Sequence, residues 1–103
     1  MLTKEIAGKT VNVSDDGYLI DHTQWNKEIA LELAKELNIN LTDKHWAVID
    51  FLRQKQIVGE GLSIRKVGTS GIVDIKEFYQ LFPGGPLKYS SKIAGIPKPM
   101  SCV

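Results

Sequence analysis

Residues 41–61, LTDKHWAVIDFLRQKQIVGEG, carry apolar side chains around more of a helix than a single stripe requires. Trp46, Ile49, Leu52 or Arg53, and Ile57 recur at helical spacing, while Val48 and Phe51 widen the face. A face that wide predicts a central, largely buried helix that other elements must cover. Thr42 suits its N-cap, Asp43 the positive end of the helix dipole and Gly59 its C-cap. The 103 residues fit one domain. A single cysteine rules out an internal disulfide framework, so apolar packing has to hold the fold.

The flanking segments supply the cover. KTVNVSDDGYLI reads as a β-hairpin: Val11 and Val13 alternate with polar neighbours, Asp16-Gly17 is a turn dipeptide, and Tyr18, Leu19 and Ile20 resume. DHTQWNKEIALELAKELN reads as a helix with Asp21 or Thr23 as cap, Asp21 and Gln24 in capping-box spacing, and Asn38 as stop. Its apolar stripe is Trp25, Ile29, Leu33 and Leu37. GEGLSIRKVGTSG is glycine-rich and irregular, with room for one short turn around residues 63–67. VDIKEFYQLF is a further helix: Asp74 and Glu77 form a capping box, Ile75, Phe78, Tyr79 and Phe82 make its face, and Pro83 ends it. Pro86 opens a short helix that Gly95 closes.

After Gly95 comes IPKPMSCV. Pro97 and Pro99 fix their own φ and push Ile96 and Lys98 toward extended conformations, so residues 96–103 read as a mobile arm with Gly95 as its hinge. Seven steps from Gly95 to Cys102 reach roughly 23–25 Å at full extension. The chain therefore carries its one thiol near the tip of a stiff arm, where a cysteine is either incidental or there to react. The terminal carboxylate opposes ionisation of that thiol. Lys98 lies roughly 12 Å away in an extended arm, beyond a Debye length of about 8 Å at physiological salt. Activation has to come from folding back onto the domain or from a partner, which suits a carrier better than a self-contained catalyst.

Composition excludes several other functions. A formal net charge of +1 predicts no strong attraction to nucleic acid or anionic membrane. No signal-peptide pattern opens the chain and no apolar run approaches a membrane span, so it reads as cytoplasmic, consistent with a free thiol. His22 and His45 lack zinc-ligand spacing with Cys102; no metal or cofactor is expected, and His45 reads as a hydrogen-bonding residue beside Trp46. GEGLS follows a helix and lacks a P-loop lysine. DIKEFYQLF is net acidic, which argues against a DNA recognition helix. Arg53 and Arg65, the only arginines, can dock a carboxylate or an anionic sulfur species through the guanidinium fork.

Taken together, KIAGIPKPMSCV, LFPGGP, LTDKHWAVIDFLR and DDGYLIDHTQWNKEIALELA resemble the DsrC/TusE family over nearly the whole chain. The tail matches the specific signature G-[IL]-P-K-P-x-x-C-V. The resemblance implies a mainly α (α+β) fold, a small orthogonal helical bundle with an N-terminal β-hairpin and an extended C-terminal arm. It implies that Cys102 carries sulfur as a persulfide, with Gly95, Pro97, Lys98 and Pro99 serving arm and partner docking. Sulfite-reductase members of the family have a second arm cysteine where this chain has Ser91, and a hydroxyl forms no S–S bond. The single-cysteine pattern matches the relay branch. GLSIR lacks the proline many members place before the arginine, although Arg65 keeps the family's basic position.

In that branch the implied donor is a TusD-like subunit of a TusBCD-type complex, and the implied acceptor is the tRNA 2-thiouridylase with its tRNA. The expected function is thus a sulfur-relay carrier for tRNA 2-thiouridine synthesis. Two alternatives stay open: a partner or regulator of dissimilatory sulfite reductase, and a nucleic-acid-binding regulator, for which steeply salt-dependent DNA binding would speak.

Overall fold

The computed structural model describes residues 2–99. Two antiparallel strands, β1 (Leu2–Ile6) and β2 (Lys9–Val13), open the chain, paired from Leu2–Val13 to Ile6–Lys9. The strands meet at Ala7-Gly8, both with positive φ (52° and 77°), the geometry of a type I′ two-residue turn. The hairpin thus precedes the one expected. Asp16-Gly17 does turn the chain, but the segment beyond it returns to β2 only through a single bridge, Val13 to Leu19. The missed strand, LTKEI, leaves four of its five residues exposed, so it shows little apolar alternation to read.

The chain then makes one 3₁₀ turn, His22–Gln24, before α1 (Lys27–Glu36). Asp21 caps only the turn, accepting from the Thr23 backbone N–H at 3.0 Å. Asn26 is the cap of α1, accepting from the Ile29 N–H at 2.9 Å. Trp25 lies between the two in extended conformation and so leaves the expected helical stripe. Asn38 stops the helix as expected, with φ of 58°.

α2 (Asp43–Ile57) starts at Thr42, whose backbone N–H donates to His45 Nδ1 at 3.0 Å. The other ring nitrogen, Nε2, donates to the Leu81 carbonyl at 2.8 Å, which fixes the neutral tautomer and ties the start of α2 to the end of the helix that carries Leu81. His45 is therefore a buried hydrogen-bonding residue, as expected, with its ring edge-on to Phe82. α2 is not the central, largely buried helix that its composition suggested. Only His45, Val48, Ile49 and Leu52 are buried, one ordinary stripe, while Ile57 and Val58 are 62% and 68% exposed.

α3 (Ile64–Gly68) is the short turn expected after Ser63, and α4 (Ile75–Leu81) carries the expected Asp74–Glu77 capping box. On α4 the buried face is Phe78 with its cap residue Phe82; Ile75 and Tyr79 are nearly half exposed, contrary to the four-residue face expected. The central element is α5 (Pro86–Ile93), which packs against α1, α2 and α4. It buries Leu87, Ser90, Ser91 and Ile93. Two adjacent serines give α5 a slim waist, so neighbouring helices can approach its backbone closely. Among the described residues the architecture is five α-helices and one two-stranded sheet, and no helix is long and apolar enough to cross a membrane.

The turn offers a direct check. Ala7 occupies a left-handed position that asparagine adopts more readily. Ala7→Asn should raise stability by about 0.5–1 kcal/mol, read as a higher denaturant midpoint with an unchanged slope. A neutral or destabilising result would contradict the assigned turn.

Candidate functional site

The site is built where α5 ends and the arm begins. Helix α5 closes in a Schellman motif: the Gly95 N–H donates to the Lys92 carbonyl (3.2 Å) and the Ile96 N–H to the Ser91 carbonyl (3.3 Å). Gly95 takes φ of 68°, and a Cβ there would fall 2.2 Å from Trp25 Cδ1. Two independent constraints, backbone sign and close approach, thus require glycine. Gly95 is a locked cap pressed against an indole ring and not an open hinge.

The carbonyls just before Gly95 are held from outside the helix. The Trp25 indole N–H donates to the Ile93 carbonyl at 2.8 Å. Arg53 Nη1 donates to the Ala94 carbonyl at 2.8 Å and Nη2 to the His22 carbonyl at 3.2 Å. The guanidinium carbon sits 4.0 Å from the Trp25 ring centre. Partial burial lowers the Arg53 pKa, opposed by the charge of Asp50. The guanidinium remains ionised at any physiological pH. Arg53 therefore ties the C-cap residue of α5 to the 3₁₀ turn, bridging two carbonyls while stacked on an aromatic face. Arg65 lies exposed on α3, and its side chain forms no hydrogen bond or ion pair with the described residues.

Ile96, expected as the first arm residue, is fully buried in the core. The chain reaches the surface from Pro97. Pro97, Lys98 and Pro99 line a groove of about 510 Å³ together with loop 59–63 and Lys66. Lys98 Nζ bonds Asp16 Oδ2 at 3.0 Å. That hydrogen bond, then the charge of Lys98, holds the Asp16 carboxyl below its usual range. Asp16, read in the sequence as part of a turn, is thus an arm contact. Cys102 lies outside the described residues.

Ser91, which the resemblance sets where other members carry a second cysteine, is fully buried, and its hydroxyl has no hydrogen-bond partner among the described residues. His22 and His45 sit apart in role, His22 offering its backbone carbonyl to Arg53 and His45 capping α2. Among the described residues no group of His, Cys, Asp and Glu is arranged to hold a metal ion.

Substitutions at this junction have distinct expected outcomes. Gly95→Ala should cost about 2–4 kcal/mol, from the left-handed φ and from overpacking against Trp25. Ser91→Ala should be neutral or stabilise by up to about 1–2 kcal/mol, because it removes a buried unsatisfied hydroxyl. Arg53→Lys should destabilise nearly as much as Arg53→Ala, since an ammonium cannot bridge two carbonyls and stack at once. Chemical denaturation measures all four. A stable Gly95→Ala variant, or an Arg53→Lys variant as stable as the parent, would refute the described junction.

The same fold is found in known proteins. A family model described as DsrC-like protein matches residues 5–103. Sulfurtransferase TusE of Pectobacterium atrosepticum is 36% identical over 107 residues, covering 96% of this chain and 98% of the relative. Sulfurtransferase TusE of Photorhabdus laumondii is 33% identical with complete coverage of both chains. Among solved structures, the NMR structure of Allochromatium vinosum DsrC superposes with a TM-score of 0.80 at 35% identity, covering 98% of this chain and 97% of that one. The crystal structure of the oxidised gamma-subunit of dissimilatory sulfite reductase (DsrC) from Archaeoglobus fulgidus gives 0.82 at 33% identity, covering 99% and 100%. With a family model matching nearly the whole chain, relatives more than 30% identical over nearly their full length and a shared fold, the chain belongs to the DsrC-like family.

Proposed function

We propose that this protein is a sulfur-relay carrier whose Cys102 accepts sulfane sulfur as a persulfide and passes it to an acceptor. The observation that carries the reading is that the sole cysteine of a DsrC-like chain falls in the tail signature. Relatives named sulfurtransferase TusE, aligned over nearly the whole chain, support it. In loading, the Cys102 thiolate attacks the outer sulfur of a donor persulfide. A new S–S bond forms on Cys102, the donor S–S bond breaks, and the donor leaves as a thiolate. The terminal proton of the persulfide moves with the transferred sulfur, so no external oxidant or reductant is required. Unloading is the same exchange with the acceptor thiolate as nucleophile.

The buried Ser91 favours a one-cysteine cycle, because neither its hydroxyl chemistry nor its position in the core offers a resolving group. Donor and acceptor are then a TusD-like subunit of a TusBCD-type complex and the tRNA 2-thiouridylase with its tRNA, in the cytoplasm. Residues 97–99 supply the docking segment: two prolines restrict it before binding, which lowers the entropy lost on association. The likeness to solved DsrC structures favours a second reading, a partner of dissimilatory sulfite reductase.

Incubation with a persulfide donor followed by intact-mass analysis tests the carrier reading. One added sulfur is expected, removable by reductant and absent from Cys102→Ser. No added sulfur, or equal loading of Cys102→Ser, would overturn it. Selective binding to sulfite reductase over the thiouridylase would replace the first partner assignment with the second.

A further inference from the structure

On the face beside the arm, three ammonium groups share one carboxylate. Lys88 and Lys92 stand one turn apart on α5, and Lys98 arrives from the arm. With Asp16 and Tyr18 they line a cavity of about 270 Å³. Lys98 bonds Asp16, and the charges of Lys92 and Lys88 also help to hold the Asp16 carboxyl low, so all three cations act on one point. Lys92 Nζ lies 5.4 Å from the Tyr18 ring centre, which forms a buried wall. An adjoining cleft adds Asp15, Glu36 and Lys4 beside Lys92, but Glu36 is taken by Lys4 at 2.9 Å. With Asp16 and Asp15 both counted against the three lysines, an excess of positive charge remains.

Like charges four residues apart on a helix repel each other, so the Lys88–Lys92 pair, which has only Asp16 to share with Lys98, gains from a further anion. The chain has such an anion within reach. From Lys98 to Cys102 is four steps, at most about 13–14 Å, and Lys98 already borders the cavity. The terminal carboxylate follows one residue later. We propose that Lys88, Lys92 and Lys98 form a receptor for the anionic end of the chain, the Cys102 thiolate with the Val103 carboxylate. The receptor deepens the carrier reading and rests on it for its purpose. Fixed lysines on the body offset the carboxylate that would otherwise oppose ionisation, and so favour the attacking thiolate. Arg53 cannot take this role, being committed to two carbonyls and an indole face.

The test is the pH dependence of Cys102 alkylation, followed by intact mass on the full chain. Lys88→Gln/Lys92→Gln should raise the thiol pKa by about half a unit to one unit. Roughly 1 M salt should shift the parent protein in the same direction. The charge-matched control Lys44→Gln/Lys76→Gln, on α2 and α4, should leave it unmoved. An unchanged pKa in the first variant, or an equal shift in the control, would overturn the proposal. So would saturable binding of inorganic phosphate at Lys88 and Lys92 with the thiol pKa unmoved, which would assign the cluster to an outside anion. Sulfur loading at a pH above the thiol pKa separates this from the carrier reading. A variant that loads normally there with an unshifted pKa sinks only the receptor, while a parent protein that never loads sinks the carrier.

Discussion

The end of α5 depends on side chains that the helix does not own. Its last carbonyls point away from any further turn, and burial leaves them no access to bulk water. Leaving a buried carbonyl unpaired costs on the order of 1–3 kcal/mol. Trp25 and Arg53 meet that demand from two distant segments, and each does so with a group that packs as well as donates. Because Arg53 also holds the His22 carbonyl, the 3₁₀ turn, α2 and α5 are joined at one guanidinium. Gly95 can then complete its cap against the indole, and Ile96 can enter the core. The position from which the arm departs is thus set by packing and not by the arm itself.

The same junction explains why a short, weakly apolar helix sits at the centre. α5 presents Ser90 and Ser91 where a bundle core ordinarily holds leucine. Ser90 returns its hydroxyl to the Leu87 carbonyl at 3.2 Å, while the Ser91 hydroxyl is left without a described partner. Small side chains on a buried helix permit close approach of its neighbours, and Trp25 and Arg53 do reach its terminal carbonyls. A bulkier waist would hold the helices apart and lengthen both contacts.

Punctuation in the sequence was legible because it acts locally. Asn38, Thr42, Asp74 with Glu77, and Pro86 each satisfy or omit a backbone group within a few residues, and each marks the helix end that it was expected to mark. What depended on distant partners was not legible. Trp25 fitted an i, i+4 stripe, yet its N–H needed a buried acceptor sixty-eight residues on, and that demand took it out of α1. Ile57, Ile75 and Tyr79 fitted apolar periodicity, yet about half of each stays exposed, since short elements leave part of each face uncovered. β1 was hidden for the converse reason: its pairing is set by Ala7-Gly8 and by backbone bonds, not by side-chain burial. At the site, the tail signature pointed to Cys102 and the arm, while Asp16 and the lysines of α5 had no local pattern that would unite them.

These two kinds of positive charge divide the work around the arm. A guanidinium with its geometry fully used is a structural tie: its donors are aimed, its face is covered, and moving it would unfasten the helix end. Ammonium groups on flexible stems are the opposite, point charges with no fixed fork that can adjust to an anion. The proposed carrier would need both, because its anchor must not respond to the cargo while its proposed receptor must. The arginine holds the carbonyl just before Gly95, while Lys88 and Lys92 stand with Lys98 around Asp16. In the proposed transfer cycle, charge on the arm would then change without disturbing the packing from which the arm springs.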